Sequence, residues 1–105
     1  MAQFQIFVNN NKSTKDAYPY LLDVQSQILE SLETRLVIPL IVSSAMQNKQ
    51  ITRLTPTITI KGIDYLILTS QIAGISKKTL GHSIMDISDR RQEIVSAIDF
   101  LISGY

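Results

Sequence analysis

The sequence predicts an α+β domain that is mainly β, a small antiparallel barrel or sheet against which a single C-terminal helix packs. Two observations carry this expectation. From Phe4 to Ser70, short runs of aromatic, β-branched and aliphatic residues alternate with polar, Gly- or Pro-containing turns. Only the last stretch, residues 86–105 (DISDRRQEIVSAIDFLISGY), is long enough and has the 3.6-residue periodicity to read as a helix.

In chain order, residues 3–8 alternate and read as a strand that ends at NNNKSTKD, residues 9–16. That polar run cannot support a core and is expected to be a mobile loop. Residues 18–24 (YPYLLDV) resume the strand pattern, with Pro19 marking an edge position. Residues 25–33 (QSQILESLE) contain helix formers, yet the apolar strand RLVIPLIV, residues 35–42, follows at once, so the segment is assigned to a strand end and a turn. Residues 43–50 are polar with modest helical character. After Pro56, residues 57–60 alternate, Lys61-Gly62 supplies a hairpin turn, and residues 65–70 (YLILTS) answer as its second strand. Residues 71–79, which include Gly74, leave room for one more short strand.

In the terminal stretch, Ser88 is expected as the N-cap, and Asp89 places negative charge at the favourable end of the helix dipole. Ile87, Ile94, Ile98 and Leu101, widened by Val95 and Ile102, define the side to be buried. The other side is unusual. Gln92, Ser96, Asp99 and Ser103 form a face of short, weakly charged side chains that runs into Gly104 and Tyr105, where a solvated helix face would carry Lys, Glu and Arg. It is either a surface face with a frayed tail or a face made to be covered.

At 105 residues the chain is expected to be one domain, residues 1–105, burying roughly two-thirds of its extended surface. A hydrophobic content of 45% and a mean hydropathy of +0.13 are globular, with a slight apolar excess that suits an interface. Ten basic residues against nine acidic ones leave no overall electrostatic footprint for a phosphate backbone. Cysteine is absent, which removes disulfides, thiolate metal sites and a cysteine nucleophile. With no basic segment leading into an apolar run at the N-terminus, and no apolar run of roughly 18 residues, a soluble cytoplasmic protein is expected.

Residues suited to catalysis are few. The single histidine, His82, is assigned to a surface loop, and no phosphate-binding glycine loop, nucleophile elbow or pair of metal ligands occurs. Asp23 and Arg35, each beside an apolar strand, are expected to pair across the sheet. The alternative places Arg35 in a cleft, where with Ser26 or Thr34 it would stabilise a phosphoryl transition state.

Several blocks then fall together. Asp23-Val24-Gln25-Ser26 precedes the apolar pair Ile28-Leu29; Arg35-Leu36-Val37-Ile38-Pro39-Leu40 follows; Leu54-Thr55-Pro56 precedes an alternating strand; and the helix ends in Gly104 and one hydrophobic residue. In this order they resemble the CcdB family of plasmid and chromosomal toxins, with near-collinear matches from Phe4 to Tyr105. The resemblance implies an SH3-like antiparallel barrel with a small extra sheet and a long C-terminal helix, assembled as a homodimer. It implies a non-enzymatic toxin of a type II toxin–antitoxin system. Such a toxin binds the gyrase A protein of DNA gyrase, traps the cleaved-DNA complex, and is neutralised by a CcdA-like antitoxin, with no cofactor, metal, membrane or sequence-specific nucleic acid involved.

Carried over by position, the gyrase-binding residues are Ile28 and Leu29, then Gln92, Ser96 and Asp99 on the helix, and Ile102, Ser103, Gly104 and Tyr105 at its end. Compared with the best-known member of that family, the chain has Ser103 in place of a tryptophan and Tyr105 in place of a terminal isoleucine. Arg91 replaces an acidic residue, Asp99 replaces an amide, and the 9–16 loop is longer. Two rival readings remain: a MazF-like endoribonuclease on the same barrel, built around Arg35, and a CcdB fold that has lost gyrase poisoning.

Overall fold

A computed structural model of the chain describes residues 3–46 and 53–104. Seven strands, β1 (Gln5–Asn9), β2 (Tyr20–Asp23), β3 (Thr34–Val42), β4 (Thr57–Ile60), β5 (Ile63–Ile67), β6 (Ala73–Ser76) and β7 (Leu80–Asp86), precede the helix α1 (Arg91–Ser103). They form one curled antiparallel half-barrel sheet in the order β4-β5-β3-β2-β1-β7, with β6 attached to β3 outside that path. The expected architecture, mainly β with a terminal helix, is the one adopted. The small extra sheet is a branch: the first half of β3 pairs with β6, from Thr34↔Ser76 to Val37↔Ala73, and its second half with β5, from Leu40↔Ile67 to Val42↔Tyr65.

Consecutive apolar pairs in the central strands have a clear cause, since successive side chains in a strand point to opposite faces. Ile6, Leu22 and Ile38 stand opposite one another across β1, β2 and β3 and enter the main core, which Ile58, Ile60, Tyr65, Ile67 and the helical Ile94 complete. Their neighbours Phe7, Leu21 and Val37 point the other way into a second, smaller cluster with Leu80 and Ile75. The three strands are buried on both faces, so each needs a continuous apolar run rather than strict alternation. β4, buried on one side alone, alternates Thr57 and Thr59 outward with Ile58 and Ile60 inward.

Local signals fix two further features. Lys61 and Gly62 both adopt positive φ, 52° and 80°, which closes the β4–β5 hairpin with the twist that two-residue turns favour. Pro39, inside the most apolar strand, accepts a hydrogen bond from the Leu68 N–H at 3.0 Å through its carbonyl. In an antiparallel strand the nitrogen and carbonyl of one residue face the same edge. The missing N–H of Pro39 therefore falls where β3 passes from β6 to β5, and the ladder to β2 is unharmed.

The structure corrects four expectations. His82 lies exposed in β7 and not in a loop. Among the described strands β7 pairs with β1 alone and with two register shifts, and such an edge strand tolerates the polar and glycine residues that masked it. The second strand of the hairpin starts earlier and ends at Ile67, and Thr69–Gln71 turns into a short 3-10 helix. Asp86 closes β7, and the helix proper begins only at Arg91 after a 3-10 turn, Ser88–Arg90. Ser88 makes no side-chain cap; instead its N–H donates to the Asp86 carboxylate at 2.8 Å, the local competition by which Asp ends one element before the next starts. That bond holds the exposed Asp86 carboxyl below its ordinary value. Of residues 43–50, Ser43–Ala45 forms a 3-10 turn, and the assignment for residues 47–50 lies outside the described residues.

β1 and β7 approach closely at Gly81, where an added Cβ would meet the Val8 carbonyl oxygen at 3.0 Å and the Asn10 side-chain oxygen at 3.0 Å. The first of these is backbone and yields only if the strand moves. Gly81→Ala is expected to destabilise the fold by about 1–3 kcal/mol, read from urea unfolding; an unchanged midpoint would show that β7 shifts freely.

Candidate protein-binding surface

The helix is anchored in its first turns and leaves the body of the protein in its last. Ile94 and Ala97 are fully buried and Val95 and Ile98 half-buried, but Leu101 is 38% and Ile102 78% exposed. The expected apolar stripe is thus correct upstream and wrong for Leu101 and Ile102, which the described chain leaves open to solvent. Ala97, too small to register as apolar periodicity, is fully buried as well. Phe100 is held by the Arg53 guanidinium, 4.5 Å from the ring centroid. At the other end, Arg90 donates to the Glu93 carboxylate from Nε at 2.9 Å and Nη2 at 2.6 Å, and Arg91 lies 5.8 Å from the Phe4 ring centroid.

Gln92, Ser96, Asp99 and Ser103 are all exposed on the outer side of α1. The Ser103 hydroxyl donates back to the Asp99 carbonyl at 2.7 Å, and Gly104, at φ 79°, donates its N–H to the Phe100 carbonyl at 2.9 Å. This left-handed glycine ends the helix without the cost a side chain would bring there. Ile102, Ser103 and Gly104 therefore project as a solvent-facing tip. Tyr105 lies outside the described residues.

Ile28 and Leu29 occupy a different element, the 3-10 turn Gln27–Leu29 between β2 and β3, where they are 88% and 44% exposed. Leu32, 47% exposed, and Leu36, 39% exposed opposite Gly74, extend this second apolar patch. Neither leucine was expected at the site, although the Ile28–Leu29–Leu32–Leu36 spacing is visible in the sequence. Beneath the turn is a buried polar network. Asp23 and Arg35, both with side chains 0% exposed, pair at 2.8 Å, as the sequence led one to expect. The second Asp23 oxygen accepts the Gln25 N–H at 3.0 Å. The Gln25 side chain accepts the Leu36 N–H at 2.9 Å and donates to the Leu29 carbonyl at 3.0 Å.

This burial removes Arg35 from the role that the ribonuclease reading requires. Ser26 Oγ accepts the Ile28 N–H within its own turn, and Thr34, next to Arg35 in β3, points to the opposite side of the sheet. Arg35, Ser26 and Thr34 do not gather in an open groove. The surface features that stand out are two exposed apolar sites, the Ile28–Leu29 turn and the helix tip at Ile102, an arrangement suited to recognition by shape and desolvation. The sequence model of the CcdB protein family matches residues 3–104, nearly the whole chain. With the curled sheet and single terminal helix on which that pattern is laid, the chain belongs to the CcdB family of toxins.

Proposed function

We propose that the protein is the toxin of a type II toxin–antitoxin module and acts on DNA gyrase. As a homodimer it binds the gyrase A protein while that enzyme holds cleaved DNA, traps the complex, and is released from it by a CcdA-like antitoxin. The observation that carries this reading is the outward-facing tip at Ile102, in a chain that the family pattern covers from residue 3 to residue 104. Gln92, Ser96 and Ser103 are neutral polar groups whose desolvation is modest once they are hydrogen-bonded. Asp99 asks for a basic or N–H-rich group on the partner. Two-fold symmetry would present two such helix ends, with the Ile28–Leu29 turns, to one partner surface. With Ser103 in the tryptophan position, the apolar anchoring passes to Ile102 and Tyr105. Antitoxin recognition is assigned to the neighbourhood of the 9–16 loop, where Asn9, Asn11 and Thr14 line a cavity of about 220 Å³ together with Leu21, Val37 and Ile75.

Incubation of the purified protein with gyrase and supercoiled plasmid, followed by detergent and protease, tests the reading. Linear DNA is expected to accumulate, and a mixed RNA substrate is expected to stay intact. RNA cleavage without trapped DNA would favour the ribonuclease reading, and neither product a fold that has lost its target.

A further inference from the structure

The β2–β3 connection presents a physical problem. It exposes nearly all of Ile28 on a 3-10 turn of three residues, a type of structure too short to hold itself. Unsupported, such a segment would sample many conformations, and a partner would have to order it on binding. The hydrogen bonds show what holds it. A single buried amide, that of Gln25, joins the Leu29 carbonyl at the end of the turn to the Leu36 N–H in β3, and so closes the connection at its base. Gln25 is itself fixed from below: its N–H donates to Asp23, and Arg35 Nη2 reaches its carbonyl at 3.5 Å. Further along, Lys77 Nζ donates to the Glu30 carbonyl at 3.1 Å and its N–H to the Glu33 carbonyl at 2.9 Å.

We propose that Gln25, seated on the Asp23–Arg35 ion pair, is a positioning residue that holds Ile28 and Leu29 outward as a pre-formed apolar wedge for the gyrase A protein. The inference rests on the reading that these two side chains face that partner. Glutamine is needed for its reach and for carrying both a donor and an acceptor at one tip. Methionine matches its volume but makes neither bond, and asparagine keeps the amide but is one methylene too short.

A double-mutant cycle tests the proposal, using affinity for the purified gyrase A protein together with amide exchange on the free toxin. Gln25→Met is expected to weaken binding about tenfold, and Ile28→Ala with Leu29→Ala about tenfold or more. Because Gln25 acts through the wedge, adding Gln25→Met to the alanine pair is expected to change affinity no further. In the free protein, Gln25→Met should speed exchange of the Leu29 and Leu32 amides and leave β4 and β5 unchanged. A full additional loss in the alanine background, or faster exchange throughout the sheet, would overturn the positioning role. Should the methionine variant not fold, Gln25→Asn takes its place with the same two outcomes. If the unsubstituted protein does not bind gyrase A, the functional reading falls and the proposal with it; binding with additive losses defeats the proposal alone.

Discussion

Removal of residues 102–105 is expected to abolish trapping of the gyrase–DNA complex without unfolding the protein. The helix draws its tertiary support from upstream, through Ile94, Ala97, Ile98 and the Arg53–Phe100 contact, whereas Ile102 is 78% exposed and Ser103 and Gly104 are exposed with it. The truncated chain loses the left-handed cap at Gly104 and little else from the described structure, so its thermal transition should move by only a few degrees, the consequence of about 1 kcal/mol or less. Binding should respond very differently. An apolar anchor at the centre of an interface contributes about 2–4 kcal/mol, and loss of Ile102 together with Tyr105 should weaken the complex about a thousandfold or more. Plasmid linearisation, circular dichroism and sedimentation equilibrium on the same preparation separate the effects. Persistent linearisation would refute the assignment of the tip; a loss of dimer would mean that the tip lies under a neighbouring protomer.

Replacing Arg35 with Met, or Asp23 with Leu, is expected to cost about 3–5 kcal/mol, a fall in Tm on the order of 20 °C for a domain of this size. Both side chains are fully enclosed and within 2.8 Å of each other, so either change alone leaves a charge buried without its partner. The pair sits on the face of the smaller cluster, next to Leu21 and Val37, where the surroundings are apolar. Among the described residues Arg35 Nη1 finds no hydrogen-bond acceptor, so the pair does not repay its full desolvation, and its presence is weak evidence of stabilisation as such. The double variant carrying both replacements should therefore lose much less than the sum of the two. A residual loss of about 1–3 kcal/mol should remain, because the Gln25 N–H no longer has its acceptor. Urea unfolding of the four proteins measures the coupling, and strict additivity would show that the two charges do not depend on each other.

Most of the fold was legible in the residues because the strands carry their own signals. RLVIPLIV is too apolar for a solvated face, the threonines and isoleucines of residues 57–60 alternate, and Lys61-Gly62 makes a turn that only positive φ can close. β7 was not legible, since an edge strand with irregular pairing needs neither a continuous apolar run nor strict alternation. The helix start was misplaced because Asp86 and Ser88 resemble a cap in sequence, while in the structure Asp86 belongs to the strand and takes the Ser88 N–H for itself. The Asp23–Arg35 pair could be anticipated from two charges flanking apolar strands. Its complete burial could not, because that depends on which face of the sheet the second cluster occupies.

By itself, the sequence determined the mainly β fold with its terminal helix, the hairpin at Lys61-Gly62, the pairing of Asp23 with Arg35 and the family to which the chain belongs, all properties of local pattern and residue order. Only the tertiary structure decided where along the helix burial ends. That boundary buries Ile94 and Ala97 and leaves Leu101 and Ile102 in solvent, although Ile94, Leu101 and Ile102 share one apolar periodicity. It was also tertiary structure that set Gln25 under the Ile28–Leu29 turn, because the amide meets Leu36 only once β2 and β3 have paired. Periodicity states which side chains could be buried; whether they are buried depends on how far the neighbouring element reaches.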